Sequence, residues 1–386
     1  MDFDPILALL GLPLAFVLGW LASRFDLRQL RLDNRQAPKA YFKGLNFLLN
    51  EQQDQAIDAF IEAVQNDPDT SDLHFALGNL FRRRGEYERA VRVHEHLLSR
   101  ADLSEDERHR AQHALALDFL KAGLLDRAER ALLALEGTRF EAEARLALLA
   151  NYERSRDWTG AARVAQLLED SDQGSFDTRR AHYLCEQAAD RLAASDTAQA
   201  QSLLLQAIAM APQAARARLA LADLQASGGE ARNAWNTLSQ ALAQCHAASA
   251  PLIAPPLAQV AMAAGQVDPA LTLLEDCYAR HPALDVLDAI VTLQSLDPAR
   301  HASARERYAL HLEKEPSLIA ASKWIAGEVL SQEQFHPHVQ RALDHAVKPL
   351  SRYRCMACGF EATRYFWQCP GCQAWDSYPA RRIEEL

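Results

Sequence analysis

Four of the seven cysteines fall within the window 355–372, as Cys355-Met356-Ala357-Cys358-Gly359 and Cys369-Pro370-Gly371-Cys372. A C-x-x-C turn brings two sulfurs to the same side of a tight loop. Two such turns facing each other supply four thiolates at the corners of a tetrahedron, the donor set that suits Zn2+ or a single Fe ion. Cys355, Cys358, Cys369 and Cys372 are therefore read as the ligands of one metal ion, Zn2+ or Fe. Four protein ligands close such a site to substrate, so catalysis at the metal is not expected. Cys185, Cys245 and Cys277 are far apart in helical patterns. An odd number outside the cluster argues against a disulfide framework, and these three read as small core hydrophobes in a reducing compartment.

No other chemistry stands out. The chain has no P-loop, no Gly-rich dinucleotide turn, no H-E-x-x-H and no G-x-S-x-G. His336 and His338 read as solvated loop residues, and the chain is not expected to be an enzyme. A formal net charge of -10 disfavours binding to nucleic acid through phosphates. The end segment 350–386 sets five arginines (352, 354, 364, 381, 382) against Glu361, Asp376, Glu384 and Glu385, too small an excess for a nucleic-acid ribbon.

The elements that position the cysteines follow from composition and repetition. Segment 350–386 is too short to build a core unaided and concentrates aromatics, among them Tyr353, Phe360, Tyr365, Trp367, Trp375 and Tyr378. Around a metal these would pack as a miniature core of short strands. Arg352, Arg354 and Arg364, with backbone N–H groups, are expected to offset the charge of the thiolates. Trp367 or Trp375 would stay exposed unless the knuckle packs back onto the preceding chain. Over the whole chain Ala and Leu dominate, aromatics make up only 8%, and many packed helices are expected upstream. A small residue recurs at Ala56, Ala90, Ala128, Ala161, Ala200, Ala234, Ala270 and Ala304, in steps of 34, 38, 33, 39, 34, 36 and 34. Gly85, Gly123, Gly229 and Gly265 precede four of them by five residues, and Pro68, Pro212, Pro282 and Pro316 follow four by twelve. Glycine ends a first helix, alanine lets two helices approach, and proline closes the second.

This pattern resembles the tetratricopeptide repeat, over about residues 40–316. The resemblance implies stacked helical hairpins forming a right-handed solenoid with a concave groove for protein segments. By analogy the groove face of the first repeats carries Tyr41, Phe75, Asn79, Arg82, Arg83, His113 and Leu117, a grip for an acidic or terminal peptide. The polar connection at 170–176 reads as a hinge. Helices over 317–330 and 339–347 would cap the array, within a segment 317–349 that ends at Pro349.

Residues 5–23 carry no charge and would span roughly 28 Å as a helix, about one hydrocarbon core. Asp2 and Asp4 precede them; Arg24, Arg28, Arg31, Arg35, Lys39 and Lys43 follow. That asymmetry predicts a single-pass anchor, 1–23, with a periplasmic N-terminus and the rest in the cytoplasm. The basic stalk, 24–39, reads equally well as a solvated linker or as a segment lying on an anionic leaflet.

The cysteine segment resembles rubredoxin-type and zinc-ribbon knuckles, with two departures. Gln373 stands where glycine is usual, and ten residues separate Cys358 from Cys369. Both weaken electron transfer at an iron-loaded knuckle, the alternative function, more than they weaken metal binding. The whole order resembles the lipopolysaccharide assembly protein B family of Gram-negative bacteria. Its elements are an N-terminal transmembrane helix, an all-α tetratricopeptide-repeat solenoid and a C-terminal rubredoxin-like four-cysteine knuckle. The resemblance implies an inner-membrane adaptor that regulates lipid A synthesis. Its implied partners are a membrane-bound AAA+ protease, the committed-step deacetylase and other inner-membrane lipopolysaccharide proteins. Self-association into a homo-oligomer is left open.

Overall fold

The computed structural model describes residues 16, 17, 20, 42–66, 70–298, 301–328 and 335–386. The expected anchor and stalk lie outside the described residues apart from Phe16, Val17 and Trp20, as do Tyr41 and Pro68. The chain divides into two units, Met1–Gln173 and Gly174–Leu386. The division falls in the polar connection that the 39-residue step marks.

The first unit stacks helices in hairpins: α1 (42–49) with α2 (Gln53–Asn66), α3 (Ser71–Arg84) with α4 (Tyr87–Ser99), α5 (Glu105–Ala122) with α6 (Leu125–Leu133), and α7 (Glu141–Ser155) with α8 (Trp158–Asp170). The second continues the pattern: α9 (Asp177–Ala193) with α10 (Thr197–Met210), α11 (Ala215–Ser227) with α12 (Ala231–Gln244), α13 (Ala250–Ala264) with α14 (Val267–Arg280), and α15 (Leu284–Gln294) with α16 (His301–Leu312). Then come α17 (Leu318–Ile325) and α18 (His336–Leu350). The fold is all-α and of the tetratricopeptide type in both units, with the four-cysteine knuckle at the end.

The alanine register explains the stacking. All eight alanines sit on the second helices, and every one is 0% exposed. At such a contact a methyl group fixes how closely two helix backbones approach. Gly85 ends α3 at φ 85°, a left-handed turn that donates its N–H back to the helix. After α7 the same place is held by Arg156 at φ 59°, so a left-handed stop is made there without glycine.

Among the described residues one stretch, Ala247–Ala264, is long and apolar enough to cross a membrane. Its Ile253, Ala254, Leu257, Ala258 and Ala261 belong to the main core cluster of the second unit. It is a core helix of the repeat stack. Two sequence expectations shift here. Helix α17 is shorter than the expected 317–330. Helix α18 is longer than 339–347, because Pro337 starts it in the first turn, where no N–H is needed, and Pro349 falls within its last turn. His336 and His338 are thus helical, and the His336 ring approaches Ile325 O at 3.1 Å.

Candidate metal centre and its seat on the repeats

Two short strands, β1 (Tyr353–Arg354) and β2 (Glu361–Ala362), pair antiparallel and hold the first cysteine turn. The turns are built alike. Gly359 N donates to Cys355 O and Gln373 N to Cys369 O, both at 2.8 Å. Gly359 has φ 77° and Gln373 φ 62°, so the position after each second cysteine is left-handed. Gln373 adopts the glycine conformation despite its side chain.

The four sulfurs lie within 4.8 Å of one another. Cys355 and Cys372 are 3.8 Å apart, Cys358 and Cys369 3.7 Å. A tetrahedral ion with metal–sulfur bonds of about 2.3 Å needs sulfurs about 3.8 Å apart, whereas a disulfide needs about 2 Å. The cluster therefore fits a tetrahedral metal ion. Cys355 and Cys369 are buried; Cys358 and Cys372 face outward. Burial opposes charge on Cys355, but Ser377 Oγ and the N–H groups of Cys358 and Ala357 outweigh it and hold the thiol down at about 6. Cys369 is lowered too: the N–H groups of Cys372 and Gly371 and the Tyr378 hydroxyl outweigh its burial. At Cys358 the Phe360 N–H lowers the thiol, but burial and the neighbouring sulfurs of Cys372, Cys355 and Cys369 outweigh it and push it up to about 12. Cys355 and Cys369 are thus the sulfurs poised as thiolates, the form a metal ligand takes.

The arginines do not do this work. Arg354 meets Glu361 at 2.8 Å and Arg352 meets it at 3.6 Å, while Arg364 lies over the Phe366 ring. Backbone and hydroxyl donors offset the sulfur charge instead. Tyr353, Cys355, Cys369 and Tyr378 form the small core, with Tyr365 and Phe366 against it.

This knuckle packs onto the repeats of its own unit. Trp375 stacks on His182 of α9, with ring centroids 4.8 Å apart and planes 12° from parallel, and meets Tyr183 edge-on at 6.0 Å. Trp367 packs against the main core cluster. The His182 Nε2 lies 2.9 and 3.0 Å from the two Asp376 oxygens. Farther along, Arg382 grips Asp285 of α15 with two bonds, at 2.9 and 3.0 Å, and donates to Ser351 O. The last acidic pair caps helices from outside. Glu384 accepts from Ser317 Oγ and from the N–H groups of Leu318 and Ile319 at the start of α17. Glu385 accepts from Leu284 N at the start of α15 at 2.9 Å. Carboxylates at helix N-termini satisfy free donors and oppose the helix dipole. Sequence reasoning had treated these residues as plain charges; no local pattern marks a cap supplied from a hundred residues away.

The groove residues proposed from the first repeats fare differently. Phe75 is 2% exposed and belongs to a core cluster with Leu97 and Ala111, which corrects its placement on a binding face. Helix α3 is enclosed on most sides, so the analogy with the family misassigned that face. Arg82 bonds Asn79, Asp118 and Ala114 O. Asp118 in turn meets His94, and both are 0% exposed, so Arg82 closes a buried network joining α3, α4 and α5. His113 stacks on Phe140 at 5.5 Å, and Leu117 is half-buried. Of the described set only Arg83 is exposed. The three isolated cysteines are core or half-buried residues, and burial pushes the Cys185 thiol up to about 11.

Comparison with known proteins agrees with this architecture. The rubredoxin metal binding domain matches residues 353–378, and the tetratricopeptide repeat matches 43–94 and 185–249. The lipopolysaccharide assembly protein B of Escherichia coli strain K12 is 30% identical over 390 residues, covering 98% of this chain and 99% of that one. The protein of the same name from Haemophilus influenzae is 27% identical, covering 96% and 97%. Among solved structures, a tetratricopeptide repeat protein from Parabacteroides merdae aligns at a TM-score of 0.36 and 14% identity over 67% of this chain and 98% of that one, too loosely to bear on function. With that identity extending across nearly the whole length, through the repeats and the cysteine knuckle alike, the chain belongs to the lipopolysaccharide assembly protein B family.

Proposed function

We propose that the chain is an inner-membrane adaptor that regulates lipopolysaccharide biosynthesis by presenting the lipid A-pathway deacetylase to a membrane-bound AAA+ protease. Family membership supports the pathway. The observation that carries the adaptor reading is the seat of the knuckle. Trp375, Asp376, Arg382, Glu384 and Glu385 bind it to helices of one repeat unit, so the metal end is part of the scaffold. Residues 1–23 are the anchor with the N-terminus in the periplasm, 24–39 a stalk, 40–316 the repeat array, 317–349 capping helices and 350–386 the metal domain.

Cys355, Cys358, Cys369 and Cys372 would hold one ion, Zn2+ or Fe, as a cross-link between the two turns. The chain's own residues do the rest: the N–H groups after each first cysteine steady the thiolates, and the Tyr378 ring closes the small core beneath them. Anchoring places the adaptor on the same membrane as a protease and raises their effective concentration without new contacts. The test is removal of residues 1–23. The remainder is expected to fold, by circular dichroism, and to lose control of deacetylase level and lipid A output in cells that lack the full chain. Full restoration of both by the truncated chain would overturn the reading.

A further inference from the structure

The knuckle leaves a gap beside it. An open cleft of about 860 Å3 lies between the knuckle and the leading edges of three successive hairpins. Thr178 of α9, Ala214 before α11 and Leu252 of α13 line one side; Met356, Trp367 and Tyr378 line the other. The volume lies within the usual range for ligand sites, but the form suits a chain better than a small molecule. Packed helices are spaced about 8–10 Å apart, so three in a row span on the order of 16–20 Å, the reach of five or six extended residues at about 3.3 Å each.

The chemistry of the lining narrows the occupant. Asp177 supplies one carboxylate and Asp376 a second, whose two oxygens His182 already engages; His182 and His246, but no lysine or arginine, are among the lining residues. Arg216, the neighbouring guanidinium on α11, bonds Glu186 and His182 O and lies over the Trp367 and Trp375 rings, at 6.0 and 5.6 Å from their centroids. At the start of α11, Ala214 gives no side-chain cap, so first-turn N–H groups there can take acceptors from outside. An extended peptide offers all the complements together: apolar side chains for Met356, Trp367 and Leu252, backbone carbonyls for the α11 donors and a cation for Asp177.

We infer that this cleft, walled jointly by the metal knuckle and the repeats, binds an extended segment of a partner protein that alternates apolar and basic side chains. The inference rests on the adaptor reading and places partner recognition in the second unit.

The experiment uses the full chain in lipid nanodiscs and two fluorescent hexapeptides, one alternating Leu with Arg, the other Leu with Glu. Binding is read by anisotropy, and contact by a photo-crosslinking amino acid at position 248, an exposed lining residue. The Leu-Arg peptide is expected to bind at least tenfold more tightly than the Leu-Glu peptide and to crosslink at 248. Asp177→Lys should weaken it at least tenfold while the fold, by circular dichroism, is unchanged; this variant also corrects for partition of the peptide into lipid. Equal binding of the two peptides, indifference to Asp177→Lys or no crosslink at 248 overturns the cleft as the site. Such a result leaves the adaptor reading standing, because that reading is decided by removal of residues 1–23.

Discussion

Arg382→Ala should unlatch the knuckle from the repeats. The Arg382 guanidinium bonds both Asp285 oxygens, at 2.9 and 3.0 Å, and lies 4.2 Å from the Tyr353 ring centroid. The two side chains are only 24% and 11% exposed. Removing one partner of a buried pair costs about 3–5 kcal/mol, because the surviving charge is left without its counter-charge. The partial exposure of Arg382 argues for the low end, about 3 kcal/mol with loss of the ring contact included. A loss of 3 kcal/mol corresponds to roughly 150-fold in the equilibrium between seated and released knuckle. Two readouts follow that equilibrium: hydrogen exchange of backbone amides across 353–378, and the rate at which a chelator strips the metal. Both should accelerate on the order of a hundredfold. Arg382→Lys keeps the charge but loses the fork and should fall between the two. Adding Asp285→Ala to Arg382→Ala should recover part of the loss, since the stranded carboxylate is then gone. Rates for Arg382→Ala within about threefold of the parent, the range of an exposed ion pair, would refute the reasoning.

Three further outcomes follow from the same structure. Cys369→Ser, at a sulfur 1% exposed, should abolish stoichiometric metal in elemental analysis and shift the tryptophan emission of the knuckle to longer wavelength. Ala200→Leu crowds a 0% exposed helix contact and should destabilise the second unit by about 1–3 kcal/mol in urea, whereas Ala226→Leu at an exposed site of α11 should change stability by less than about 0.5 kcal/mol. Burial, the leading cause, pushes the His113 and His311 imidazoles below their usual 6.5, so both fold best uncharged. Their contribution is present above pH 6.5 and is lost as pH falls through the lowered folded values. Thermal stability should therefore decline on acidification below that point, and the combination of His113→Gln with His311→Gln should flatten the slope.

The repeat architecture was legible because it is written locally. One methyl-sized contact per hairpin imposes an alanine on each second helix, and a left-handed stop invites a glycine five residues earlier. The clustering of four sulfurs was legible for the same reason, being a matter of turn geometry within a few residues. The return of Trp367 and Trp375 to the repeats followed from their size alone, since a small knuckle cannot cover two indoles. What escaped the sequence lies in pairings at long range. Asp285 and Arg382 are 97 positions apart, and nothing near either one predicts the other. Glu384 and Glu385 entered the sequence reading only as part of a charge balance, yet they complete helices α17 and α15. Phe75 was misplaced for a different reason. A first helix in a hairpin stack touches its own partner and both neighbouring hairpins, so α3 buries seven residues from Leu73 to Phe81 and exposes only a narrow stripe. An analogy with a family face is not enough to find that stripe.

The seat of the knuckle has two halves that differ in their dependence on the metal. Trp375 and Asp376 follow Cys372 by three and four residues, on the same turn that a bound ion would fix. Their hold on His182 therefore depends on the geometry of the ligand turn, and with it the cleft wall built from Trp367, Asp376 and Met356. Arg381, Arg382, Glu384 and Glu385 lie beyond the last ligand and bond Pro282 O, Asp285, the α17 start and Leu284 N through their own side chains. Those contacts need only that the chain reach α15 and α17. Loss of metal would then free the cleft side of the knuckle while its tail stays moored on α15 and α17.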